Sequence, residues 1–447
     1  MPETGAETGA ETGAETGAAT DAVTGPLRGI RVLEFSQIVA GPVSGIYLSD
    51  LGADVVKVEP PGGEARRNMG AVVPNEGKYF QTLNRGKRSL VLDLQSPAAR
   101  DAVHRIIPGF DVVTINYRVG VAERLGIDYE TLSKLSPGLI YVSITGFGDQ
   151  GPEAGRPGSD IVAQGYSGMM ASEGKTDEQG APQLIQSAPY ADRASGIAAA
   201  MGVCAALFHR ERTGEGQLIN LSLLQTALEL LSRQVAREPV HDALTRDPMM
   251  QRIEELQAAG ASYPELVAER RSQMTQFMSH RLYYGGYNTR DGAIVIGCVT
   301  RSNRDAARRV LGAEAEPSDG PDFNAADPES AQRSIEWKAR IDETMLTRTS
   351  AEWIAALDDA GVPATVVHFP EQMADDPQVQ ALGMMARLEH PITGPQQLVG
   401  PLLRMSKTPP AALLPAPTLG DHSDDVLREG GLTDAEIADL RREGALG

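Results

Sequence analysis

Arg31-Val32-Leu33-Glu34-Phe35 and Asp54-Val55-Val56-Lys57-Val58 flank the segment Pro42-Val43-Ser44-Gly45-Ile46-Tyr47-Leu48-Ser49-Asp50-Leu51. The outer runs are short and rich in valine, which suits a pleated, buried strand. The middle segment has the length and pattern of a helix. Together they predict a βαβ unit. Working outward, further strands are expected at 89–94, 111–116 and 139–145, with helical stretches at 98–107 and 121–125 between them. Such alternation predicts an α/β fold built on a mostly parallel, doubly wound sheet.

Beyond Ser195 an alanine-rich helix is expected to run to about Arg212, followed by the turn Thr213-Gly214-Glu215-Gly216, a strand at 217–221 and a helix from Leu224. The regular pattern then fades into charged helical stretches, a strand pair around 283–287 and 293–299, and a polar loop at 313–326. A new α/β pattern follows at 350–360 and 364–368. The length of 447 residues exceeds what one core usually supports. The organisation expected is a large Rossmann-like domain at 27–235, a smaller inserted α/β domain at 236–346, and a segment at 347–447 returning to the large domain. Residues 1–26 repeat Glu-Thr-Gly-Ala from Glu3, Glu7, Glu11 and Glu15, a composition expected to form a disordered tail.

The chain carries 60 acidic and 41 basic residues, a formal charge of -19, which would repel a phosphate backbone at long range. Nucleic acid is therefore not an expected partner. Its apolar runs read as too short for the roughly 20 residues that cross a bilayer, so no membrane partner is expected either. Only two cysteines occur, Cys204 and Cys298, far apart, which fits a reducing cytoplasm. The first strand-to-helix turn, Ser36-Gln37-Ile38-Val39-Ala40-Gly41-Pro42, lacks the glycine spacing of a dinucleotide site. No Walker pattern, zinc spacing or hydrolase elbow is present, so no metal is expected. An anionic ligand would need a local basic island, and Asn84-Arg85-Gly86-Lys87-Arg88 is the clearest candidate.

Over nearly everything from Leu27 to Leu440 the chain resembles the class III CoA-transferases, the family of formyl-CoA transferase and carnitine CoA-transferase. The carriers are Leu27-Arg28-Gly29-Ile30-Arg31-Val32-Leu33-Glu34, Leu51-Gly52-Ala53-Asp54-Val55-Val56-Lys57-Val58-Glu59-Pro60, Asn84-Arg85-Gly86-Lys87-Arg88-Ser89 and Gly146-Phe147-Gly148-Asp149-Gln150-Gly151-Pro152. Arg212-Thr213-Gly214-Glu215-Gly216-Gln217 and Leu419-Gly420-Asp421-His422 also match. The resemblance implies an interlocked homodimer, acyl-CoA and small carboxylic acids as partners, and coenzyme A as co-substrate with no permanently bound cofactor. It also implies a nucleophilic aspartate at Asp192, in Ala188-Pro189-Tyr190-Ala191-Asp192-Arg193-Ala194-Ser195-Gly196. Read from the local sequence alone, Asp192 is a helix cap before it is a nucleophile, and the resemblance reverses that order. The resemblance implies CoA contacts at Gln37, Val39, Arg88, Leu92, Asn116, Tyr117 and Arg124. Asn116-Tyr117-Arg118-Val119-Gly120 is similar to the family's Asn-aromatic-Arg-Pro-Gly segment, with valine in place of proline.

In the reaction so implied, the aspartate attacks the donor's acyl carbonyl to give a mixed anhydride and CoA thiolate. The thiolate then attacks the aspartyl carbonyl, and the acceptor acid reverses both steps. Val39 stands where formyl-CoA transferase has an active-site glutamine, and Tyr283-Tyr284-Gly285-Gly286 is a poor counterpart of its glycine-rich lid. Both departures argue against formyl-CoA and oxalate. The related α-methylacyl-CoA racemases place a histidine where this chain has Ser159, before Asp160; serine has no pKa near neutrality, so a two-base proton exchange would lose one arm. Racemase-like chemistry and a non-catalytic CoA-binding protein are the alternatives.

Overall fold

The computed structural model describes residues 25–275, 282–324 and 327–447. The tail expected at 1–26 lies, through residue 24, outside the described residues, as does part of the polar loop expected at 313–326. The described chain divides into two units, 25–158 with 191–223 and 384–447, and 159–190 with 224–383.

Short segments with valine, isoleucine or leucine at their centres form the strands of the first unit: β1 (Arg31–Phe35), β2 (Asp54–Glu59), β3 (Lys87–Val91), β4 (Val112–Ile115), β5 (Ile140–Thr145) and β6 (Gln217–Ser222). All pair in parallel, in the order β3-β2-β1-β4-β5-β6, so the order reverses between β1 and β4. Successive side chains alternate faces. Leu33, Phe35, Val56, Val58 and Leu90 enter one core with Val103 and Ile106 of the helix Pro97–Ile106 and Val426 and Leu427 of the helix Ser423–Glu429. The opposite face of β1 carries Glu34 and lies under helix α1 (Ala40–Asp50), which is buried almost all round. Gly45 is what lets α1 come so close, since a Cβ there would stand 1.9 Å from Glu34 Oε2.

The second unit holds β7 (Tyr284–Asn288), β8 (Ala293–Gly297) and β9 (Ala364–Val366) as a three-stranded antiparallel sheet. Ile294 and Ile296 pack with Tyr283, Trp353 and Leu357, and the Trp353 indole donates to the Met345 carbonyl at 2.8 Å. Three boundaries differ from those read in the sequence, the first being that this unit takes up the chain at 224 and not at 236. Segment 159–190 groups with this unit, and the return to the first unit begins at 384, because 350–383 completes the small sheet with β9 and its covering helix.

A hairpin that the sequence pattern did not reveal, β10 (Met385–His390) and β11 (Gly394–Val399), belongs to the first unit. Buried His390 Nε2 lies 3.2 Å from Glu76, and Gln396 donates to Gln81 at 2.8 Å, so side chains distant in sequence hold it. The expectation of short apolar runs also needs correction. The helix α2 (Tyr190–Thr213) is long and apolar enough to cross a membrane. Half of that apolar stretch is buried within the protein, as in a core helix.

Candidate active site

In open parallel sheets, ligands bind outside the carboxyl ends of the strands where the strand order reverses. Here that place lies between β1, which the chain leaves as Ser36-Gln37-Ile38-Val39, and β4, which it leaves as Asn116-Tyr117. Asn116 joins the two exits. Its Oδ1 accepts the Gln37 N–H at 2.9 Å and its Nδ2 donates to the Gln37 carbonyl at 2.7 Å. The Gln37 side chain is exposed, while Tyr117 rests half-buried on the core and burial pushes its phenol pKa up.

Ile38 has φ +71°, a left-handed conformation that crowds a β-branched side chain. Val39 then caps α1 without a side-chain hydrogen bond, and its own side chain, 2% exposed, packs with Val43 and Leu83. The valine therefore serves α1 packing in this structure.

Alanine favours helix more than any other residue, and the alanine-rich 191–206 run makes α2 the longest described helix. Asp192 lies in its first turn, 9% exposed, where the positive end of the helix dipole favours an ionised carboxylate. Gly196 follows one turn later on the same face. A Cβ at Gly196 would stand 2.4 Å from Val43 Cγ1 and 2.7 Å from the Ala40 carbonyl oxygen, so α2 touches the start of α1 there. Four helical residues rise about 6 Å, which puts Asp192 within about one turn of that contact. Gly196→Ala should therefore push the helices apart and cost about 1–3 kcal/mol, read by urea unfolding with transfer activity measured in parallel. An unchanged midpoint would show that the contact is loose.

The remaining expected contacts scatter. Arg124 is exposed on the helix Val121–Leu125, after β4. Leu92 follows β3 with its side chain in the core, so only its backbone can face a ligand. Arg88 lies at the amino ends of the strands, away from the crevice, where it shares Asp54 and Glu429 with Arg31. The basic island expected at 84–88 is consumed internally, because Arg85 pairs with Asp50 and Lys87 with Glu34. A cleft of about 200 Å³ beside Tyr117 is lined by Arg118, Glu123, Asp128, Asp149 and Asn220. A larger cavity of about 710 Å³, around Arg290 and Glu352, lies wholly in the second unit and holds none of the expected residues.

Sequence reasoning missed a buried set of charges beneath this turn. Lys57 Nζ lies 3.2 Å from Glu34 Oε1 and 3.0 Å from Glu64 Oε1, and donates to the Ser36 carbonyl at 2.7 Å. Lys87 Nζ lies 2.8 Å from Glu34 Oε2 and donates to the Pro42 carbonyl at 2.9 Å. Burial works against the Glu34 carboxylate, but Lys87 and Lys57 outweigh it and hold its pKa below the ordinary value. Burial likewise opposes the Lys57 ammonium, yet Glu64, Glu34 and Glu59 keep it above the usual lysine range. Lys87 differs: burial, aided by Lys57, lowers it to about 8 despite Glu34. The charges thus fasten both ends of the 36–42 turn.

The model of CoA-transferase family III matches residues 27–423. The chain belongs to that family. The succinyl-CoA:mesaconate CoA-transferase of Haloarcula hispanica is 32% identical over 91% of this chain and 97% of its own length. The succinate–glutarate CoA-transferase of Agrobacterium fabrum is also 32% identical, over 90% and 95%. Among solved structures, a protein of Mycobacterium tuberculosis, Rv3272, superposes with a TM-score of 0.70 at 30% identity, covering 90% of this chain and 99% of the other. The protein is a family III CoA-transferase that moves CoA between an acyl-CoA and a carboxylic acid.

Proposed function

We propose that this CoA-transferase works through a covalent intermediate on Asp192, and that its donor is succinyl-CoA. One observation carries the reading: Asp192 is buried in the first turn of α2, one helical turn before Gly196, which touches the start of α1. The names of the two relatives above favour a succinyl donor.

In the first step a carboxylate oxygen of Asp192 attacks the succinyl carbonyl, and CoA leaves as the thiolate. A mixed anhydride remains. The thiolate attacks the aspartyl carbonyl, expelling succinate and leaving an aspartyl-CoA thioester. The acceptor carboxylate then attacks that thioester, and the released thiolate takes the acceptor's acyl group while Asp192 is regenerated. One thioester replaces another, so the demand on the protein is to hold the reactants and keep water from the intermediates. Gln37, Asn116 and Tyr117, at the carboxyl ends of β1 and β4, are the CoA contacts we favour, with Arg124 on the helix after β4 as a further one.

The interlocked homodimer belongs to the same reading. On α2, Ile197, Met201 and Phe208 form an apolar stripe, with Met201 69% and Phe208 63% exposed. Val399, Leu402, Leu403, Leu413 and Leu414 add further exposed apolar surface, more than an isolated chain usually presents. The free cysteines Cys204 and Cys298 fit a cytoplasmic setting.

Succinyl-CoA and hydroxylamine together test the intermediate. The aspartyl thioester should convert to a hydroxamate, seen by peptide mass spectrometry at Asp192 with matching loss of activity. Full activity after exhaustive treatment, with no modified peptide, would refute it.

A further inference from the structure

We propose that Glu64 is a positioning residue for CoA transfer: its carboxylate holds Ile38 in the left-handed conformation and so sets the backbone of the turn that faces the thioester. The inference rests on the reading of Gln37 and Asp192 given above.

Each residue of this turn is held by a different group. Lys57 takes the Ser36 carbonyl, Asn116 takes both backbone groups of Gln37, and Glu64 Oε2 accepts the Ile38 N–H at 2.7 Å. Of the three, only the Glu64 bond falls on a strained residue. Ile38 and Asn75 are the non-glycine residues with positive φ among those described, and a β-branched residue pays for that conformation only when its surroundings over-determine it. Glu64 is well suited to the task. It is buried, it precedes the short helix Ala65–Asn68, and its other oxygen lies 3.0 Å from the Lys57 ammonium. Lys57 is in turn held by Glu34, so the carboxylate has one orientation. Its backbone N–H adds a further tether, donating to Glu59 Oε2 at 3.3 Å.

Glu64 therefore does not touch the reacting atoms. It acts through Ile38, because releasing that residue to negative φ rotates the peptide planes on either side. Those planes carry the Gln37 carbonyl and the N–H groups that lead into α1. Strain at a ligand-facing turn is a recurrent sign of preorganisation.

The experiment uses the full-length enzyme and four proteins: wild type, Glu64→Gln, Ile38→Gly and the double variant. Glutamine has nearly the shape of glutamate but one acceptor oxygen, so it cannot serve both Ile38 and Lys57. We expect Glu64→Gln to lower kcat by about tenfold or more while the KM for succinyl-CoA stays within about threefold. Glycine adopts positive φ without cost. In the Ile38→Gly enzyme, adding Glu64→Gln should then lower kcat by no more than about threefold. A purely structural role would instead cost the same kcat and melting temperature in both backgrounds. Equal losses in the two backgrounds, or a folded Glu64→Gln enzyme with wild-type kcat, would overturn the proposal. If Glu64→Gln alone does not fold, the double variant is compared with Ile38→Gly, and a kcat deficit beyond about tenfold overturns it in the same way. Hydroxylamine trapping on the wild type separates the layers, since a missing Asp192 adduct defeats the covalent reading regardless of how Glu64 behaves.

Discussion

Asp192→Asn abolishes nearly all transfer, with turnover falling at least about a thousandfold, or about 4 kcal/mol of barrier, while the protein stays folded. The amide keeps the size of the side chain and much of its capping ability, so α2 should begin at the same place. What disappears is the anionic oxygen that attacks the thioester carbonyl. The cost falls on kcat, because the CoA contacts proposed at Gln37, Asn116 and Tyr117 are untouched and KM for the donor should change little. Initial rates with succinyl-CoA and a panel of acids, product identity by mass spectrometry and circular dichroism decide the matter. Asp160→Asn is the control. That carboxylate accepts from Gln164 at 2.6 Å within its own helix, so its loss should matter less. A folded Asp192→Asn enzyme retaining more than about a tenth of wild-type turnover would rule out covalent catalysis there.

The second large effect is on stability. Glu34→Gln should destabilise the protein by about 3–5 kcal/mol, because it leaves two buried ammonium groups without the carboxylate between them. In a chain of 447 residues, with about 2.1 cal/mol/K of unfolding entropy per residue, that lowers the melting temperature by about 3–5 °C. Both Glu34 oxygens now face lysines, and glutamine would turn an N–H₂ group toward one of them. The pH dependence gives a second signature. The folded pKa of Glu34 lies below its ordinary 4.5, so its ionisation contributes stability above that value and the contribution is lost as the pH falls through the folded pKa. The difference between wild type and Glu34→Gln should therefore be full at neutral pH and narrow below pH 4.5. Adding Lys87→Met to Glu34→Gln should recover part of the loss, since it removes one of the orphaned charges. A single-variant cost under about 1 kcal/mol at neutral pH would mean that water or a structural shift compensates the charge.

The strands of the large sheet could be read from the chain because most are short, largely apolar runs bounded by turn residues, and β1 falls at 31–35 as its valine, leucine and phenylalanine suggest. The parallel, doubly wound arrangement follows from helical segments alternating with those runs. The aspartate at 192 stood out through its place before an alanine-rich stretch and through a resemblance spread over most of the chain. Local pattern reaches no further than this.

The hairpin β10–β11 escaped because Met385-Ala386-Arg387-Leu388-Glu389-His390 and Gly394-Pro395-Gln396-Gln397-Leu398-Val399 alternate weakly, and their support comes from Glu76 and Gln81, some three hundred residues earlier. Arg88 read as a ligand for an anion, yet it turns to Asp54 and Glu429, partners that only the fold supplies. Nothing in the local sequence marks Glu34 and Lys57 as partners, and Lys87 read as part of a basic island for an anion. They are buried because parallel register sets Glu34 against Lys57 and because Gly45 lets α1 close over them. Register and helix contact are long-range properties: periodicity along the chain tells which residues share a face, but not which partner face they meet. For that reason the nucleophile proposed here could be named from the amino-acid sequence, whereas the strained Ile38 turn and the Glu64 carboxylate that holds it exist only once β1, β2 and α1 have come together.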